Sequence, residues 1–316
     1  MFSISYKAKQ FLLVIIKLLI VSIAMIYLYY EIKDKKIIWS TVFNALSFES
    51  ILLLVAFSTI NWLLEIAKWR NLVSNFKSIS FLEAAQQCLG SLTVSIFTPN
   101  RIGEYGAKAL YYSKEETKKI IFLNFISNSS QMAITCFFGL LGLLLFKISY
   151  TETMVWFAFK IKILPVLIAT IVFACAILIA FRLKKSKIYG ISIATLFSKV
   201  TSFPRIILKK TFLFSLLRFL VFSHQFYYLL YLLNCDISYL TALSCIFTMY
   251  FLASIIPSIH LLDVAIKSSV AVYLFAKFGV LEWKIIMITS LMWIFNLFFP
   301  VLLGSYFVFQ FKFQKK

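Results

Sequence analysis

The sequence predicts an all-α polytopic membrane protein made of two inverted repeats, and three observations predict it. Hydrophobic residues fill 62% of the 316 positions and aromatic residues 18%, which is too apolar for a soluble domain. The apolar residues gather into runs of about 20, the length that crosses a hydrocarbon core. Finally, one charged pattern occurs twice at the ends of such runs. Arg101, Glu104 and Lys108 have spacings of three and four, as do His260, Asp263 and Lys267, and the two sets are 159 residues apart.

Taken in order, the runs at 11–30, 49–68, 120–146, 163–181, 211–233 and 283–309 predict six full crossings. The first is too long for a signal-peptide core and lacks a small-residue cleavage site, so it reads as a retained helix. Two further apolar stretches, 81–112 and 238–277, are interrupted at the charged patterns. Pro99 and Pro257 disfavour continuous helix there, and each stretch is expected as a helix-break-helix hairpin, re-entrant or spanning. Either form enters and leaves on one side, so the choice does not alter the topology. The whole chain, 1–316, reads as one integral membrane domain, with repeat 1 at about 49–146 and repeat 2 at about 211–309. The joining loop, 182–210, is basic and has no acidic residue. Its middle, 188–203, is expected as an amphipathic helix on the cytoplasmic leaflet or as a solvated linker.

A net charge of +20 would suggest nucleic acid in a soluble protein. Here Lys and Arg concentrate between the apolar runs, which is the positive-inside pattern, and no nucleic-acid partner is expected. With the amino terminus inside, 19 Lys and Arg residues fall on the inner side and 8 on the outer. Both termini are therefore expected in the cytoplasm, with the protein in the cell's inner (plasma) membrane. The two halves then run in opposite senses through the bilayer, a design in which two equivalent packings open one central site to opposite faces. Cys88, Cys136, Cys175, Cys235 and Cys245 are scattered singly and read as packing residues. No metal spacing, cofactor motif or nucleotide loop is visible, so no metal, cofactor or enzymatic activity is expected.

Ionisable residues inside a membrane are functional candidates by default. Asn61, Glu65 and Lys68 share one helical face. His224 stands 159 residues after Glu65, beside Gln225, with Arg218 shortly before it. Asn124, Asn128 and Gln131 form a polar stripe at helical spacing; helix-to-helix hydrogen bonding is the plain alternative for all of these. Arg101 is expected just before a helix that begins near Ile102, a good phosphate site through its guanidinium and the helix start together. Gly103 belongs to the same break. Glu104 is placed to offset the helix dipole and pair with Lys108, or to face a cavity, where it would bind a lipid amine or carry a proton. Arg101, Glu104, Lys108, His260, Asp263, Lys267, Glu65 and His224 are thus the candidate substrate-binding residues, and the two patterns are expected to face one shared cavity.

The segment Thr98 to Lys108, TPNRIGEYGAK, resembles the lysylphosphatidylglycerol synthase transmembrane region, also called the flippase-like domain family, whose motif there is Thr-Pro-Gly/Asn-Arg-Ile-Gly-Glu. The second stretch looks like the family's later proline motif, with Asp263 where Glu is usual, Ala265 where Gly is usual and Lys267 where Arg is usual. The resemblance covers nearly the whole chain as a membrane domain, without the aminoacyl-transferring domain of the bifunctional synthases. It implies a membrane protein that translocates lipids or lipid-linked head groups. The expected partners are therefore membrane lipids, anionic or zwitterionic phospholipid or lipid-linked phosphate, moved between leaflets. The alternatives are a membrane-embedded transferase using Glu104 or Asp263 as base, or a non-transporting partner subunit.

Overall fold

The structure, a computed structural model, describes residues 45–96, 98, 101–151, 202–256 and 262–311, with Ile26, Tyr29, Val42 and four residues of the basic loop. Apart from a two-residue ladder in that loop, its regular elements are helices: α1 Phe48–Val73, α2 Phe81–Ser95, α3 Ile102–Ala109, α4 Thr117–Thr151, α5 Arg205–Leu232, α6 Tyr239–Ile255, α7 Asp263–Ala276, α8 Glu282–Trp293 and α9 Phe299–Gln310. A π turn, Ile294–Phe298, joins α8 to α9 without a break. The expected crossing at 11–30, apart from Ile26 and Tyr29, and that at 163–181, with Pro99, Pro257 and His260, lie outside the described residues.

Among the described residues three helices are long and apolar enough to cross a membrane: Phe48–Val73, Thr117–Ser149 and the continuous run Glu282–Gln310. The protein is a helical membrane protein. Large apolar residues such as Leu52, Leu63, Leu144, Leu303 and Phe309 point outward, while Ser58, Asn61, Glu65, Lys68, Lys108 and Asn124 are buried. A polar interior with an apolar exterior suits hydrocarbon, where an outward polar group would lose its hydrogen bonds.

Local sequence sets the helix ends. Ser47 and Ser238 accept from the backbone amides of Ser50 and Thr241 at 3.3 Å. Ser80 and Glu83 form a reciprocal capping box. Both interrupted stretches are indeed paired helices, broken between Ser95 and Ile102 and between Ile255 and Asp263. In the basic loop Lys187–Ile188 pair antiparallel with Ile191–Ser192, so the start of 188–203 does not take the helical form that was one of its two expectations.

The three most extensive helix packings are α6 on α4, α1 on α5 and α9 on α2, and each joins one half of the chain to the other. The α1–α5 pair is antiparallel. Near one end Asn71 donates to the Ile207 carbonyl, and near the other Gln225 donates to the Leu54 carbonyl. Small residues allow the close approaches. Gly142 lies against Ser244 to Thr248, and Gly304 against Leu89 and Thr93, where an added Cβ would strike backbone. Pro300 near the start of α9 has no N–H for the preceding turn. Ser58 and Trp62 of α1 donate to the Phe295 and Asn296 carbonyls of that turn at 2.5 and 3.2 Å. The π turn is thereby tied to α1.

Candidate functional site

A cavity of about 500 Å³ lies between the two halves of the chain. The first half contributes Asn61 and Trp62 of α1, Arg101, Tyr105 of α3, and Asn128 and Gln131 of α4. The second contributes Arg218 of α5, Tyr250 of α6, Asp263 and Lys267 of α7, Trp293 of α8 and Asn296 of the π turn.

Arg101 caps α3 in the left-handed conformation, φ 58°, which costs a non-glycine residue on the order of 1 kcal/mol and is held where surroundings demand it. The demand is visible. Thr98 Oγ1 accepts from the Gly103 amide at 3.0 Å, and this turn is so tight that a Cβ on Gly103 would meet Thr98 Cγ2 at 2.7 Å and the Ser95 backbone at 3.2 Å. The Arg101 side chain is left 35% exposed, 3.6 Å from the Glu104 carboxylate.

Glu104 faces the other way. It is buried, bonds Lys108 Nζ at 2.8 Å, and is not among the cavity-lining residues. Lys108, also buried, donates to Asn124 Oδ1 at 2.8 Å and lies 4.2 Å from the Trp69 ring centre. Packing of α3 on α4 brings these together, so the expected dipole partnership is present but as a buried pair behind the wall. The second pattern repeats the pairing closer to the cavity: Lys267 Nζ is 2.6 Å from Asp263, and both residues line it.

Glu65 accepts from Lys68 at 2.8 Å and from Arg218, whose Nε also donates to Asn61 Oδ1 at 3.0 Å. From Asn61 a chain of amides continues through Asn296 to Gln225 and ends on the Leu54 carbonyl, with bonds of 2.8 to 3.1 Å. Glu65 therefore sits behind the wall and holds Arg218, which is on it. His224 departs from expectation. It bonds the Leu220 carbonyl and the Tyr239 hydroxyl, both at 2.8 Å, away from the cavity lining, because α5 turns that face toward the start of α6.

The structure thus places Arg101, Asp263 and Lys267 on one cavity, with Glu65, Glu104 and Lys108 supporting it from behind. Sequence reasoning noted Arg218 only as a neighbour of His224 and left it out of the candidate binding residues, although an Arg inside an apolar run was a visible signal. It also passed over Tyr105, Trp62, Trp293 and Asn296, which look like ordinary packing residues until their helices meet. The amide stripe of α4 does turn inward: Asn128 donates to the Tyr105 hydroxyl and Gln131 to the Ser215 carbonyl, both at 3.3 Å. Among the described residues no group of three or more His, Cys, Asp or Glu is placed to hold a metal ion.

The cluster is not electrically balanced. Lys68, Arg101, Lys108, Arg218 and Lys267 supply five cations against the three carboxylates of Glu65, Glu104 and Asp263. Lys68 and Lys108 are buried, while Arg101 and Lys267, 35% and 37% exposed, line the cavity, and an anion entering there would offset the excess. Compared with known proteins, the chain matches no family model, no curated protein and no solved structure.

Proposed function

We propose that this protein carries the phosphate-bearing head group of a lipid between the leaflets of the inner membrane, by alternating access around the cavity between its halves. The observation that carries the reading is the cavity itself: both halves build it, Arg101 and Arg218 line it, and its surrounding ion pairs hold five cations against three carboxylates. A guanidinium recognises phosphate through paired, charge-assisted hydrogen bonds. Carrying the lipid's anion through this site offsets the charge that the site holds in excess.

Transport in both directions needs a site that two packings can expose in turn, and the pairing of helices supports two inverted repeats. Elements α1 to α4 and α5 to α9 run in the same order, and each first hairpin arm, α2 or α6, packs on the last helix of the other half. The equivalent helices α1 and α5 cross antiparallel, the relation expected about an axis lying in the membrane plane. The resemblance of Thr98 to Lys108 to the flippase-like domain family agrees with this reading.

The test is movement of fluorescent phosphatidylglycerol across liposomes holding purified protein. Arg101→Ala should slow it at least tenfold while the protein stays folded, since Glu104 keeps its bond to Lys108. Arg101→Lys should be intermediate, keeping the charge but losing the planar fork. Wild-type movement by Arg101→Ala would remove the phosphate role.

A further inference from the structure

Resting on that transport reading, we infer that the head group this cavity takes is hydroxylated beyond its phosphate, a sugar phosphate or a polyol phosphate, and is not one that ends in an ammonium. Charge excludes the ammonium. Among the described residues Asp263 is the wall carboxylate, and it is engaged by Lys267 at 2.6 Å. A choline, ethanolamine or aminoacyl head group would bring a further cation to a cluster already in positive excess.

The neutral part of the wall selects for hydroxyls. A phosphate oxygen only accepts hydrogen bonds from protein donors, so a wall built for phosphate alone would present donors. The residues of this wall also include an unpaired acceptor. The Gln131 amide donates to the Ser215 carbonyl, which leaves Gln131 Oε1 buried and without a hydrogen-bond partner among the described residues. Trp293 Nε1 is a buried donor in the same condition, as is Arg101 Nε. Buried polar atoms left unpaired are costly, and a group on a bound ligand can complete them.

A hydroxyl both donates and accepts, so neighbouring hydroxyls satisfy Gln131 and Trp293 together, while the phosphate takes the Arg101 guanidinium. Trp62 and Trp293 also line the cavity, and indoles offer flat apolar faces on which a sugar ring or glycerol chain can rest.

Binding to purified full-length protein tests this, read as a thermal shift with glucose 1-phosphate, glycerol 1-phosphate, inorganic phosphate and phosphocholine. At least one hydroxylated ester should bind roughly tenfold more tightly than inorganic phosphate, the gain expected of one or two added hydrogen bonds. Phosphocholine should bind more weakly than inorganic phosphate, and the order of the two hydroxylated esters tells a glycolipid head group from a glycerol one. Trp293→Phe, which keeps a ring and removes the N–H, and Gln131→Met should each erase most of that preference without weakening inorganic phosphate. Equal binding of all four, tightest binding of phosphocholine, or an unchanged preference in both variants overturns the inference. In liposomes, phosphatidylcholine crossing as fast as phosphatidylglycerol overturns the head-group inference and leaves transport standing. Tight binding of a hydroxylated phosphate with no lipid movement overturns transport and leaves the site standing.

Discussion

Replacing Glu65 by Gln keeps the size of the side chain and removes its charge, and the structure says what is then stranded. Lys68, 2.8 Å away, has a side chain only 1% exposed, and Arg218 has one only 12% exposed. Removing one partner of a buried ion pair costs about 3–5 kcal/mol because the remaining charge stays desolvated, and Glu65 is the shared partner of two. At a few degrees per kcal/mol for a chain of this size, the melting temperature should fall on the order of 10 °C. Tryptophan fluorescence on heating in detergent measures it. Glu65→Gln with Arg218→Met should recover part of the loss, since it removes one of the two stranded cations, and the departure from additivity should exceed about 0.5 kcal/mol. A Glu65→Gln protein that melts within about 1 °C of wild type, or a double variant no more stable than the single, would refute the reasoning.

Two neighbouring glycines should behave oppositely. Gly103→Ala should slow lipid movement severalfold, because its Cβ meets Thr98 and the Ser95 backbone and displaces the Arg101 turn. Gly106→Ala, where nothing lies within 4 Å of the added Cβ, should leave transport intact and stabilise α3 by roughly 0.5–1 kcal/mol. For topology, single cysteines replacing Ser113 and Asp236 in a background without the native cysteines should be labelled by an impermeant thiol reagent from opposite faces of the membrane. Labelling of both from the same face would end the inverted-repeat argument.

Much of the fold was legible because its signals are local. Run length alone placed helices at 49–68, 120–146 and 283–309, and Phe48–Val73, Thr117–Thr151 and Glu282–Gln310 occupy those places. A proline with charge behind it marked both breaks, and the helices stop at Ser95 and Ile255. Three-and-four spacing put Glu65 by Lys68, Glu104 by Lys108 and Asp263 by Lys267, and all three pairs form. Periodicity could not say which side of each helix meets which neighbour. Glu104 and His224 were therefore expected at the cavity, while one lies behind its wall and the other on a different face.

What the sequence determined by itself is a helical membrane protein with two broken, charged segments, since the length of an apolar run and the restraint of a proline act on a chain regardless of its partners. Only the tertiary structure decided that Arg218 meets Asn61 and Glu65 across 157 and 153 residues of chain, and that Arg101 and Lys267 line one cavity. Those contacts depend on two helices packing antiparallel and on glycines that let other helices close to contact, and a long-range pairing of faces leaves no periodic trace in either segment alone.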